Sequence, residues 1–123
     1  MCGILGIISR DKKICENYSK KSLLNSIAHR GPDSQDSVKG KNFYFGHSRL
    51  SIIGLKEGGA KQPIYKKNKI LVFNGEIYNY KDLSNELNEN GYYDSGKSDT
   101  ETLFNFIFHY GLKKTISKID GMY

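Results

Sequence analysis

With 123 residues, 37% of them hydrophobic and aromatic bulk supplied by nine Tyr and six Phe without any Trp, the chain suits one domain and excludes two comfortable ones. No stretch reaches membrane-spanning length, and no basic segment precedes the apolar run behind Cys2. Neither a span nor a signal peptide is therefore read, and two cysteines in such a chain point to free thiols in a reducing cytoplasm. The net charge of +6 rests on lysines scattered singly or in pairs, which is a solvated surface and not a nucleic-acid stripe.

In chain order, residues 3–8 read as a strand by their continuous Ile and Leu content. Residues 22–29 read as a helix with Leu23, Leu24, Ile27 and Ala28 on one face, ended by Gly31-Pro32. Residues 43–48, 50–53 and 70–73 read as strands, with Gly58-Gly59 and residues 66–69 as turns between them. Residues 80–90 form a short polar helix carrying Leu83 and Leu87 at i,i+4, stopped by Gly91. Ser98-Asp99-Thr100-Glu101 has the form of a capping box, after which Leu103, Phe104, Ile107 and Phe108 line one helical face until Gly111. Leu112, Ile116 and Ile119 predict one more short helix, and Asp120-Gly121-Met122-Tyr123 the start of a strand. The sum is a single α+β domain over residues 1–123.

Cys2 is chemically the most informative position. Removal of Met1 exposes an N-terminal cysteine whose own α-amino group, with a pKa of about 8, can take the thiol proton directly or through a water. The three arginines also tell more than the sixteen lysines, because Arg30 and Arg49 sit inside His29-Arg30-Gly31-Pro32-Asp33 and His47-Ser48-Arg49-Leu50-Ser51-Ile52. A planar forked donor kept in a lysine-rich chain suits bidentate binding of a carboxylate, or else a structural ion pair. The histidines have no ligand spacing with either cysteine, so no metal is expected. One competing motif is Gly91-Tyr92-Tyr93-Asp94-Ser95-Gly96-Lys97-Ser98, which matches a phosphate loop. Its context fails, since a polar helix and not a buried strand precedes it, and Asp94 would repel phosphate.

Six motifs in register form a more specific constellation: Cys2-Gly3-Ile4, His29 to Asp33, Gly46 to Ile52, Gln62-Pro63, Phe73-Asn74-Gly75-Glu76-Ile77-Tyr78-Asn79-Tyr80 and Ser98 to Glu101. Together they resemble the class II glutamine amidotransferases, with the Asn-Gly-Glu-Ile-Tyr-Asn and Arg-Leu-Ser-Ile forms similar to the glutaminase domain of glutamine-hydrolysing asparagine synthetases. The resemblance implies a four-layer αββα sandwich of the N-terminal-nucleophile hydrolase type, and relative to it the chain reads as truncated at its C-terminal end. It implies glutamine hydrolysis by Cys2, with Asn74 and the Gly75 N–H receiving the oxyanion. Arg49 suits the substrate α-carboxylate, Asp99 and Glu76 its α-ammonium, and the backbone of Leu50, Ser51, Ile52 and Ile53 lines the pocket. Arg30 and Asp33 shape the loop beside Cys2. The domain needs no cofactor; ATP and Mg belong to a synthetase domain, in cis or trans, that would convert aspartate to asparagine, and no nucleic acid or membrane partner is expected, though a homodimer is compatible. A different acceptor, or a truncated remnant that keeps the motifs without the activity, are the alternatives. The segment of residues 54–61 is looser than the family's usual one.

Overall fold

The computed structural model describes residues 2–11, 19–50 and 61–123, which divide into two units: residues 2–11, 19–50 and 61–74 form the first, residues 75–123 the second. Helix and strand are mixed, as an α+β chain requires, and no helix among the described residues is long and apolar enough to cross a membrane.

In the first unit β1 (Gly3–Ile8) and β2 (Ser34–Lys39) both pair antiparallel with the central β3 (Phe43–Arg49). Side chains alternate across a pleated strand, so Tyr44, Gly46 and Ser48 share one face of β3 and Phe45, His47 and Arg49 the other. The first face is covered by α1 (Lys20–Asn25). Leu24 lies against Gly46, where a Cβ would stand 3.0 Å from its Cδ2, and Gln35 Nε2 donates to both Leu24 O (3.1 Å) and Ser48 Oγ (2.8 Å). Leu24 and Tyr44 are accordingly buried.

The helix expected over residues 22–29 is shorter and earlier. Ser19 caps it by accepting the Ser22 N–H at 3.1 Å, while the Ser26 hydroxyl donates to Leu23 O at 2.7 Å, the local side-chain bond that competes with helix propagation. The chain then makes a separate 3-10 turn over Ala28–Arg30. β2 is an element the sequence reading did not contain; Ser-Gln-Asp-Ser-Val-Lys has no apolar alternation because this edge strand is mostly exposed on both faces. β4 (Ile64–Lys66) and β5 (Lys69–Leu71) form a hairpin whose turn residues Lys67 and Asn68 both have positive φ, 50° and 59°, as a tight hairpin turn demands. The expected strand over residues 70–73 is thus drawn back to a pairing that ends at Leu71. Of the strand expected over residues 50–53, Leu50 is irregular and Ser51, Ile52 and Ile53 lie outside the described residues, as do the Gly58-Gly59 turn and Cys15.

The second unit is helical. α2 (Tyr80–Glu89) buries Leu83 and Leu87 as their spacing predicts, and α3 (Asp99–Tyr110) packs on it with Leu103, Phe104 and the wholly buried Phe106. Phe106 was missing from the predicted face, while Ile107 and Phe108 of that face are only half-buried. Complete burial of Leu87 and Phe106 is worth roughly 1.5–3 kcal/mol each. α4 (Leu112–Ile116) forms as expected but inverted: Leu112 and Ile116 are 60% and 56% exposed, and Thr115 is the residue turned inward. A two-stranded ladder of β6 (Glu76–Ile77) with β7 (Gly121–Met122) closes the unit. Gly121 is required there because a Cβ would meet the Glu76 carbonyl.

Candidate functional site

Cys2 stands one step beyond the Gly3–Ser48 pair on β1, and Arg49 one step beyond it on β3, so the thiol and the guanidinium leave neighbouring strands at the same end of one sheet. Cys2 is a free, half-buried thiol. Its Sγ accepts the Leu50 N–H at 3.5 Å and lies 3.9 Å from the Leu50 carbonyl, so the backbone just after β3 fixes the sulfur. The 3-10 turn makes this corner. The Arg30 Cβ stands 2.8 Å from where a Gly3 Cβ would be, a Cβ on Gly31 would run into the backbone of Ser48 and Arg49, and the Asp33 N–H donates to the Arg49 carbonyl at 3.1 Å. Arg30 and Asp33 are exposed, and their backbone, more than their charge, frames the Cys2 corner.

On the same face as Cys2 and Arg49 lies a cavity of about 210 Å³, lined by Arg49, His47, Ser34, Asp36, Lys61 and Gln62 among others. His47 is 3% exposed, and its Nε2 has no hydrogen-bond partner among the described residues. Burial, above all, together with the Arg49 charge, outweighs the Phe73 carbonyl and holds the imidazole below the usual histidine range, so it stays neutral and offers a lone pair. Gln62 Oε1 accepts the Phe73 N–H at 2.6 Å, pinning the residue that precedes Asn74. Sequence reasoning gave neither His47 nor Gln62 a role. The signal for His47 was its i,i+2 spacing from Arg49 on a strand, which puts both on one face.

The expected site residues divide at one peptide bond. Cys2, Arg30, Asp33, Arg49, Leu50 and Asn74 belong to the first unit, while Gly75, Glu76 and Asp99 belong to the second. In the second, Asp99 Oδ2 accepts the Ile77 N–H at 3.1 Å, and Oδ1 accepts the Thr100 N–H at 2.7 Å and the Thr100 hydroxyl at 3.2 Å. That ties the first turn of α3 to β6, the strand that carries Glu76. Ser98 is the N-cap, its Oγ accepting the Glu101 N–H at 3.4 Å, so the cap falls to Ser98 and leaves Asp99, with part of its acceptor capacity, half-buried at the helix start.

The loop of residues 91–98 lacks the chemistry of a phosphate loop. α2 and not a strand precedes it, and the Gly96 N–H donates to the Asp94 carboxylate at 3.1 Å, so a fixed negative charge occupies the donor that a phosphate would need.

A family model described as a glutamine amidotransferase domain matches residues 1–123. The chain is 35% identical over 127 residues to glutamine-hydrolysing asparagine synthetase 1 of Bacillus subtilis (strain 168), covering 100% of this chain and 20% of that protein. It is 30% identical to glutamine-hydrolysing asparagine synthetase 2 of Oryza sativa subsp. japonica, again over 100% of this chain and 20% of the relative. To the glutamine-hydrolysing asparagine synthetase B of Escherichia coli (strain K12) it is 34% identical, over 84% of this chain and 19% of the relative. The chain therefore spans about a fifth of the length of these relatives.

Proposed function

Because the chain belongs to the glutamine amidotransferase family over its whole length, we propose that it hydrolyses the side-chain amide of glutamine and supplies the ammonia to a synthetase domain that makes asparagine from aspartate. The observation that carries this reading is the shared sheet end of Cys2 and Arg49, which suits a thiol nucleophile beside a fork for a carboxylate.

In the proposed reaction the Cys2 thiol gives its proton to its own α-amino group, and the sulfur attacks the amide carbon. The carbonyl oxygen becomes an oxyanion, for which the Asn74 side chain and the Gly75 N–H are the donors; losing one such donor costs on the order of a hundredfold in rate. Collapse breaks the C–N bond, the ammonium formed from the α-amino group returns the proton to the departing nitrogen, and ammonia leaves a thioester. Water then adds to the thioester, releasing glutamate and restoring the thiol. Arg49 holds the α-carboxylate bidentately, and Asp99 and Glu76 the α-ammonium. ATP and magnesium are requirements of the synthetase domain. For the architecture we adopt the four-layer sandwich, in which the sheet β1-β3-β2 with α1 on one face supplies one sheet and one helical layer.

Replacing the sulfur tests the reading. Cys2→Ala is expected to abolish glutamate release from glutamine while Cys15→Ala stays near the parent rate, and the intact mass of active protein is expected to be short by one methionine. Hydrolysis that survives Cys2→Ala, or activity in protein still carrying Met1, would overturn the nucleophile or its base respectively.

A further inference from the structure

The loop between α2 and α3 folds around a carboxylate. Asp94 is 5% exposed; its Oδ2 accepts the Thr102 hydroxyl at 2.7 Å and the Gly96 N–H at 3.1 Å, and its Oδ1 accepts Asn105 Nδ2 at 2.6 Å. Ser84 of α2 stands beside the same carboxylate and helps to hold its pKa down. Its backbone is held as well, because the Asp94 N–H donates to Asn88 Oδ1 at 3.1 Å, and Asn88 Nδ2 donates to the carbonyls of Asp94 (3.1 Å) and Ser84 (2.9 Å). Gly96, with φ at +62°, passes so close that an added Cβ would stand 3.0 Å from Ser84 Oγ.

Burying a carboxylate is costly and is tolerated only when its lone pairs are met, so an apolar residue would fill a mere turn at lower cost. What the charge adds is direction. Its partners Thr102 and Asn105 lie three and six residues beyond Asp99 on α3, and Ser84 and Asn88 lie on α2, so the network fixes where α3 starts and how it is rotated about its axis. The residue delivered at that start is Asp99, already aimed by the Ile77 N–H. We propose that Asp94 is a positioning residue for substrate binding, which holds the first turn of α3 so that the Asp99 carboxylate meets the α-ammonium of glutamine in one orientation. The inference rests on the role assigned to Asp99 above.

The test uses the full chain with Cys2→Ala, which binds without hydrolysing, titrated calorimetrically with glutamine and with glutaramate, the same molecule without its α-amino group. Asp94→Asn puts an amide donor among donors, and is expected to cut the preference for glutamine about tenfold or more by weakening glutamine alone, with glutaramate affinity kept within about twofold. Adding Asn105→Asp, which exchanges carboxylate and amide across the same hydrogen bond, is expected to restore the preference. Equal weakening of both ligands, or an unchanged preference in folded Asp94→Asn protein, would overturn the proposal; if Asp94→Asn alone fails to fold, a folded exchange variant without the preference would overturn it instead. Failure of the Cys2→Ala parent to bind glutamine at all would sink the functional reading and this inference with it, whereas glutamine binding whose preference survives Asp99→Ala would remove only the Asp99 step and the inference built on it.

Discussion

In the proposed reaction Arg49 and Asn74 would separate binding from turnover at single positions. Arg49→Lys keeps the charge and loses the fork, so the proposed bidentate contact with the α-carboxylate would become a point charge. We expect a rise of about tenfold or more in the Michaelis constant for glutamine, with turnover less affected. Asn74→Ala is expected to do the reverse, lowering turnover about a hundredfold, because in the proposed reaction its amide binds the oxyanion more strongly than the ground-state carbonyl. Steady-state kinetics on both variants decide this, and the opposite pattern would mean that the two roles are exchanged. Cys2 and Arg49 can be singled out from the sequence as candidates, since a thiol at position 2 or a lone arginine fork carries information without a fold. His47, Gln62 and Asp94 cannot, because their roles depend on burial and on partners distant in sequence: Phe73 lies 26 residues from His47, and Asn105 lies 11 residues beyond Asp94.

At the level of elements, the 3-10 turn Ala28–Arg30 is the part that makes the Cys2 corner, and Gly31 is what lets it close. Gly31 has φ of −163°, which any residue can adopt, so its requirement is steric: a methyl group would run into the backbone of Ser48 and Arg49. Gly111, between α3 and α4, is the complementary case, with φ at +80° and open space around its Cβ position. Gly31→Ala is expected to lose about 1–3 kcal/mol by overpacking and to depress glutamine hydrolysis more than its stability loss explains. Gly111→Ala is expected to lose about 1–3 kcal/mol, because φ of +80° with ψ of 163° is a conformation essentially reserved for glycine, while hydrolysis is kept. Denaturant melts and rates measured well below each midpoint check the pair; equal loss of activity in both would mean that the turn does not shape the site. The same scale shows what periodicity can and cannot give. β1 and α2 keep their expected bounds to within a residue, although Ile4 and Ile8 of β1 are exposed, whereas β2 carries no periodic signal because an exposed edge strand needs no apolar alternation, and α4 kept its helix but turned its apolar residues outward.

For the whole molecule, the buried His47 and Asp94, both outside the proposed chemistry, make stability depend on pH in two separate steps. Burial, with Arg49 nearby, lowers the His47 pKa, so the unfolded chain takes up a proton at pH values where the folded one does not. Stability is therefore complete above the ordinary histidine value of about 6.5 and declines as pH falls through it, levelling once the folded pKa is passed. Burial would raise the Asp94 carboxyl, but the Asn105 and Thr102 donors outweigh it and hold the pKa below the ordinary carboxylate value. Its contribution is present above that value, about 3.9, and is lost as pH falls through the lower, folded one. Asp36, held low by the Ser37 N–H and Lys20, and Glu86, held low chiefly by Lys118, act in the same acid range, but both pairs are partly or largely exposed and are screened by salt. Melting temperatures at about 0.5 M salt from pH 7.5 down to 3 are thus expected to fall in two stages. His47→Gln removes the first stage and keeps the second, and Asp94→Asn, starting from a lower stability, keeps the first and flattens the second. A His47→Gln curve parallel to that of the parent between pH 7 and 5 would show that the buried imidazole is not the group that titrates.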